Sequence, residues 1–201
     1  MQSGARFDVS VILPFGDDED VIGAAIQRIA AHLRELSLSF ELIAVDEDSG
    51  DNSHAVLALL RAQVPELRVT HAPARGRGFD TGISRAQGQV LWLIEPHAAM
   101  QPVVGFARAF EQIRDDGPAA RDAAVVRGRF AVAHRIRALE VAAGLRGTGD
   151  VYYRRFAKRL AARGLRLDVQ VAGGARRVAM SAAPERSRGI FGLRRRFERE
   201  P

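Results

Sequence analysis

The 201 residues contain no cysteine. Disulfides and thiolate metal sites are therefore excluded, and a reducing compartment suits the chain. No apolar run approaches the ~20 residues needed to cross a bilayer. The opening MQSGARFDVS lacks the apolar stretch of a secretory signal, so a cytoplasmic location is expected. Aromatic residues make up only 6%. That is few for a surface that stacks bases, and a nucleic-acid binder is not expected.

What is present describes one soluble domain. An apolar fraction of 47% with 27% charged residues is enough to build a core at this length. The charge is uneven. Residues 1–60 hold 11 acids and 3 bases, leaving −8 there and, against a total of +6, +14 on the remainder. An acidic site in the first part and an anion-facing surface in the second follow from that split.

The first hundred residues alternate strand and helix signals. Phe7 to Pro14 reads as a strand stopped by proline. GDDED (16–20) places acids where a helix start favours them, and residues 19–36 follow with apolar positions at helical spacing. A strand from Phe40 to Val45, a helix over 52–63 capped by Asp51 or Asn52, a short strand from Leu67 to Thr70, a Gly/Arg loop with a short helix, and a strand over 90–94 complete this half. Further on, the pattern predicts helices at 102–114, 133–143 and 151–163, with strands at 123–126 and 165–171. The expected fold is α/β: a mostly parallel central sheet with helices on both faces. One domain is expected, with a nucleotide-binding half (1–100), an acceptor-side half (101–183) and a basic C-terminal tail (184–201).

Ligands of such sheets bind beyond the carboxyl ends of the strands. Three polar clusters fall there: Asp17/Asp18, Asp46/Glu47/Asp48/Asp51, and Glu95/His97. Each has a plainer reading. The second cluster could be a helix-capping loop, and Glu95-Pro96-His97 a polar turn after a buried strand.

VSVILPFGDDEDVIGAAIQRI, LIAVDEDSGDNS and GQVLWLIEPH together resemble the family-2 glycosyltransferases of GT-A fold. The nearest branch is that of the dolichyl-phosphate-mannose-synthase-like enzymes and their bacterial polyprenyl-phosphate relatives. Pro14 overlays the family proline, and Asp17-Asp18 stand where Asn-Glu is usual. Asp46-Glu47-Asp48-Ser49-Gly50-Asp51 overlays Asp-Asp-Gly-Ser-x-Asp, with Asp48 in the place of glycine. Glu95-Pro96-His97 overlays Asp-x-Asp. Val125 to Phe130 resembles the strand ending in Gly-Ser-Arg-Phe, and Arg186-Ser187-Arg188-Gly189 resembles the start of a closing Arg-x-x-Gly-x-Ser-Lys, with Phe191-Gly192 replacing Ser-Lys.

The resemblance implies sugar transfer from a UDP- or GDP-linked donor, with a lipid phosphate among the acceptors. Asp46 or Glu47 would hold base and ribose, and Glu95 a ribose hydroxyl. A divalent cation, Mn²⁺ or Mg²⁺, would be held by Glu95 and His97. Arg75 and Arg77, in a glycine-rich loop before a helix, could hold the diphosphate or form a solvated turn. Asp150 could deprotonate the acceptor or cap the helix that follows it. The arginine-rich segment after Arg186 could rest on anionic lipid. The altered motifs also admit a chain that has lost catalysis and keeps nucleotide-sugar binding, or only the fold, as an interaction module.

Overall fold

The computed structural model describes residues 5–102, 105–115 and 120–171. The elements run β1 (Phe7–Phe15), α1 (Ile22–Glu35), β2 (Phe40–Asp46), α2 (Ser53–Leu60), β3 (Leu67–His71), α3 (Gly78–Arg85) and β4 (Gly88–Ile94). Then come α4 (Pro96–Ala99), α5 (Phe106–Arg114), β5 (Ala123–Arg127), β6 (Phe130–His134), α6 (Arg135–Ala142), α7 (Gly149–Ala162) and β7 (Leu167–Val171). They form a seven-stranded sheet in the order β3-β2-β1-β4-β6-β5-β7. Only β6 runs against its neighbours, so the carboxyl ends of the other six strands share one edge.

Side chains alternating along each strand feed two cores. Val9, Val11, Leu13, Trp92 and Ile94 pack with α1, α2 and α5, where Trp92 stacks on Phe106 at 4.0 Å between ring centroids. Ile12, Ile43, Leu91 and Leu93 face α3, α6 and α7, among Phe79, Tyr152 and Phe156. Helix α3 lies close against β1 because Gly82 carries no side chain. A Cβ there would run into Ile12, and it would also sit 3.2 Å from a Val45 methyl.

Several elements differ from the sequence reading. Proline does not stop β1. Pro14 lies inside the strand, its carboxyl-side neighbour Phe15 still in register with Asp46. Helix α1 begins at Ile22, so the acids of residues 17–20 precede it rather than fill its first turn. The carboxylates of Asp17 and Glu19 take backbone N–H groups of the β2–α2 loop instead, and that of Asp18 takes the Gly16 N–H. Helix α5 starts at Phe106, after Gly105 at φ +98°. Residues 130–134 form a strand where the pattern at 133 suggests a helix. Phe130 and Val132 are buried between β4 and β5, and that pairing outweighs a short run's local preference.

No helix among the described residues is long and apolar enough to cross a membrane. The arginine-rich segment beyond Arg186 lies outside the described residues.

Candidate functional site

The strand order reverses direction between β1 and β4: β2 and β3 lie on one side of β1, and β4 on the other. A crevice opens at such a switch point, outside the carboxyl ends of the two strands. Here it is a cleft of about 190 Å³. Pro14, Phe15 and Gly16 line it from the end of β1, and Glu95, Pro96 and His97 from the end of β4. Asp18, Glu47 and Thr148 complete its walls.

Glu95 follows the last residue of β4 with extended backbone, and Pro96 opens the four-residue α4. Proline suits that first helical position, where an N–H would lack a partner. Glu95 therefore stands at the N-cap position of a short helix rather than in an open turn, though its side chain makes no cap bond. Its Oε1 accepts the Gly149 N–H at 2.5 Å, which ties the end of β4 to the start of α7. Burial, aided by the nearby Asp18 and Glu47 carboxylates, raises its pKa above the ordinary carboxylate value, against the Gly149 bond and His97. His97 projects outward with 70% of its side chain exposed, and its Nδ1 lies 3.1 Å from Asp18 Oδ1.

Glu47 is buried and both its oxygens are engaged. Oε1 accepts the Gly78 N–H at 2.5 Å and Oε2 the Gly76 N–H at 3.1 Å, so this carboxylate fastens the glycine-rich loop and the start of α3. Residue 78 has no room for a side chain, because a Cβ would lie 2.6 Å from both Glu47 Oε1 and Pro14 Cβ. The next residue, Asp48, adopts φ +70°, a left-handed turn that Asp tolerates better than most residues. That is why the chain can carry Asp where the resembling motif has glycine.

The β1–α1 and β2–α2 loops are stitched together by their acids. Asp17 Oδ1 accepts the Gly50 N–H at 2.7 Å. Glu19 joins the two loops twice, its N–H reaching Asp51 Oδ2 and its Oε2 accepting the Asn52 N–H, each at 2.8 Å. Asp51 Oδ1 also takes the Ser53 N–H at 2.9 Å at the start of α2. Of the two residues expected to cap this helix, Asn52 holds the N-cap position without a side-chain bond, and Asp51, one residue earlier, supplies the bond to the first helical N–H.

Asp46, at the end of β2, is nearly enclosed. His54 Nε2 and His71 Nδ1 both lie 2.9 Å from its Oδ2, and the Ser49 N–H reaches Oδ1 at 2.9 Å. Burial raises its pKa, but these bonds outweigh it and the net shift is downward.

Among the expected residues, Pro14, Asp18, Glu47, Glu95 and His97 come together around the cleft. Asp17, Asp46 and Asp48 do not line it. Arg75 bridges 3.1 Å to the Asp48 carbonyl and 3.8 Å to Asp17, while Arg77 pairs with Asp80 at 2.6 Å; neither lines the cleft. Asp150 occupies the first turn of α7, where Oδ1 accepts the Gly128 N–H at 3.0 Å and Oδ2 lies 3.1 Å from Arg154 Nε. Sequence reasoning missed His54 and His71. For His71 the signal was available, since it ends β3 just as Asp46 ends β2. His54 carried none.

A cation could find only part of its shell here. Among the described residues no three His, Asp or Glu side chains converge on one point that could hold a metal ion. Oε2 of Glu95 and Nε2 of His97 offer one oxygen and one imidazole nitrogen, a pair that suits Mn²⁺ better than Mg²⁺, with the other ligands drawn from phosphate and water. The residues fit in that limited sense.

The glycosyl transferase family 2 profile matches residues 10–182. Mannosyltransferase PcManGT from Pyrobaculum calidifontis, solved with GDP-Man and Mn²⁺, is 19% identical at a TM-score of 0.62, over 90% of this chain and 59% of that one. Residues 1–349 of S. aureus TarS, in complex with UDP-GlcNAc, give 0.55 at 11% identity, over 83% of this chain and 60% of that one. Glucosyl-3-phosphoglycerate synthase from Mycobacterium tuberculosis, with Mn²⁺, UDP and phosphoglyceric acid, gives 0.53 at 16%, over 83% and 68%. The chain thus spans about three-fifths of the length of the first two. No curated protein sequence matches it.

Proposed function

The chain belongs to glycosyl transferase family 2 and has the GT-A fold, and from that premise we propose that it transfers a sugar from a nucleoside-diphosphate sugar to an acceptor. The observation that carries this reading is the cleft at the β1/β4 switch point, walled by Asp18, Glu47, Glu95 and His97. The donor would lie along the carboxyl edge of the sheet. Its base end would point toward β2 and β3, and its diphosphate would sit beside Glu95 and His97. From β4 to β3 is three strand spacings, about 14 Å, room for an elongated ligand.

A divalent cation, when bound, would be held by Glu95 and His97 and would neutralise charge gathering on the diphosphate as the glycosidic bond breaks. The known structures with Mn²⁺ support that choice for the family's fold. Glu47 and Glu95 have a second duty: they hold the Gly76–Gly78 and Gly149 backbone against the cleft and shape its wall. Asp150, next to Gly149, is the base proposed for the acceptor hydroxyl, with Arg154 beside it at 3.1 Å. The dolichyl-phosphate-mannose-synthase-like branch, and with it a lipid-phosphate acceptor at the membrane surface, is the finer form of this proposal. It rests on the motif resemblance.

Thermal unfolding with UDP, GDP and their sugar conjugates, with and without Mn²⁺, tests the donor site. A nucleotide at 100 times its Kd raises stability by ~2.7 kcal/mol, which is a Tm rise of roughly 5–10 °C at this size. No shift with any of them would remove the donor site and with it the proposed activity.

A further inference from the structure

Among the described residues five large apolar side chains are exposed, and three of them lie on α6 and α7: Ile136 at 46%, Leu139 at 40% and Val151 at 43%. Singly such residues are ordinary on a soluble surface. Their setting here is not. Residues 135–163 hold 8 bases and 2 acids, a net charge of +6. Both acids are already engaged. Glu140 lies 3.2 Å from Arg137 and 4.0 Å from Arg163, and Asp150 lies 3.1 Å from Arg154.

The two helices present these groups on one face. Val151, Arg155, Arg159 and Arg163 recur every fourth residue along α7 and its C-cap, so they form one row. That row borders α6. Arg155 Nη1 donates to the Arg146 carbonyl at 2.6 Å, and Arg159 Nη1 to the Val141 and Ala143 carbonyls at 2.8 Å. Val151 and Arg155 also flank Gly147 in the connecting loop. On α6, Ile136 and Leu139 stand three apart on the side away from Ala138, Val141 and Ala142, which are buried in the core. The rings of α7, Tyr152, Tyr153 and Phe156, are all buried. The outer surface is therefore aliphatic and cationic, with no aromatic ring from either helix exposed.

We propose that this α6–α7 face docks the protein on an anionic lipid bilayer. Ile136, Leu139 and Val151 enter the acyl boundary, while the exposed Arg155, Lys158 and Arg163 meet the headgroup phosphates with their stems along the apolar layer. A nucleic-acid duplex would satisfy the charges, but it has no use for the aliphatic chains and is offered no ring to stack on. Thr148, in the loop before α7, lines the donor cleft. Docking therefore brings that wall of the cleft toward the headgroups. The inference rests on the surface and not on sugar transfer.

The chain has no cysteine, so Leu139→Cys and Leu59→Cys each give a unique place for a polarity-sensitive fluorophore. Leu59 is exposed on α2, in the opposite helical layer. The labelled full chain is mixed with vesicles of phosphatidylglycerol and phosphatidylcholine in equal parts, or of phosphatidylcholine alone. The Leu139→Cys probe should shift to the blue with the anionic vesicles only, and the Leu59→Cys probe should not move. In vesicle sedimentation Lys158→Gln should weaken binding about fivefold, one basic charge's share. Ile136→Ser should weaken it about tenfold. Lys158 is exposed, so its variant keeps the test valid if Ile136→Ser folds poorly. An unmoved Leu139→Cys probe, an equal shift at Leu59→Cys, equal binding to phosphatidylcholine alone, or full binding by Lys158→Gln overturns the inference. So does displacement from the vesicles by duplex DNA at matched phosphate concentration, which would make this a nucleic-acid surface. Each of those results leaves the donor site standing, and a failure to bind nucleotide leaves this face standing.

Discussion

Glu95 and Gly149, 54 positions apart in the chain, are joined by a 2.5 Å hydrogen bond from the Gly149 amide to Glu95 Oε1. The bond depends on glycine. Residue 149 adopts φ +49°, and a Cβ would lie 2.7 Å from the other Glu95 oxygen. Gly149→Ala should therefore destabilise the chain by about 2 kcal/mol, left-handed strain and a clash together. Urea unfolding would measure it, and a loss below ~0.5 kcal/mol would mean that α7 starts independently of Glu95.

Glu47 fastens two amides of the glycine-rich loop. A hydrogen bond to a charged group is worth about 1.5–3 kcal/mol. Glu47→Ala, which removes both, should cost roughly 3 kcal/mol and expose the Gly76 and Gly78 amides to rapid hydrogen exchange. Slow exchange at Gly78 in the variant would show that the start of α3 is held by packing alone.

Acid stability should report Asp46. Burial pushes its pKa up, but the bonds from His54, Ser49 and His71 bring it below the ordinary aspartate value. Asp51 shifts the same way, because bonds from Ser53, Ser49 and the Glu19 amide outweigh burial. A depressed folded-state pKa contributes stability above the unfolded pKa and loses it as pH falls through the folded value. Stability should therefore drop as pH falls from about 4 toward 2, with a shallower slope in Asp46→Asn. An unchanged slope would place the acid-labile bonds elsewhere.

His97 is exposed and touches only Asp18 among the charged side chains described. His97→Ala should change stability by less than ~0.5 kcal/mol and lower the Mn²⁺-dependent gain in nucleotide affinity by about tenfold. Full retention of that gain would remove His97 from cation binding. His97→Asp should extend the gain to Mg²⁺, which prefers oxygen donors.

Asp150→Asn tests the proposed base. The amide can still accept the Gly128 N–H, so fold and donor affinity should persist while transfer falls at least ~10²-fold. Equal losses of binding and turnover would mark Asp150 as structural.

The strand and helix periods were legible in the residues. Val9, Val11 and Leu13 alternate with Ile12 as a buried strand must, and Ile22, Ile26, Ile29 and Leu33 recur as one face of a helix. The strand ends that collect Asp46 and Glu95 followed from that pattern, because parallel strands place their carboxyl ends on one edge. Asp48 at φ +70° is likewise a local matter, since Asp tolerates that backbone. The strand Phe130–His134 was not legible. Five residues carry too little periodicity, and only the places on either side, beside β4 and β5, make them a strand.

What the acids do was decided by tertiary structure. Glu47 and Glu95 read alike in sequence, yet each is turned onto glycine amides from a distant loop. Asp46 reads as a ligand and lies beneath two histidines, one 8 and one 25 positions away. A side chain's type and spacing set which hydrogen bonds it can make. Which ones it does make depends on the groups that folding brings within about 3 Å, and those come from distant loops, helix starts and strands.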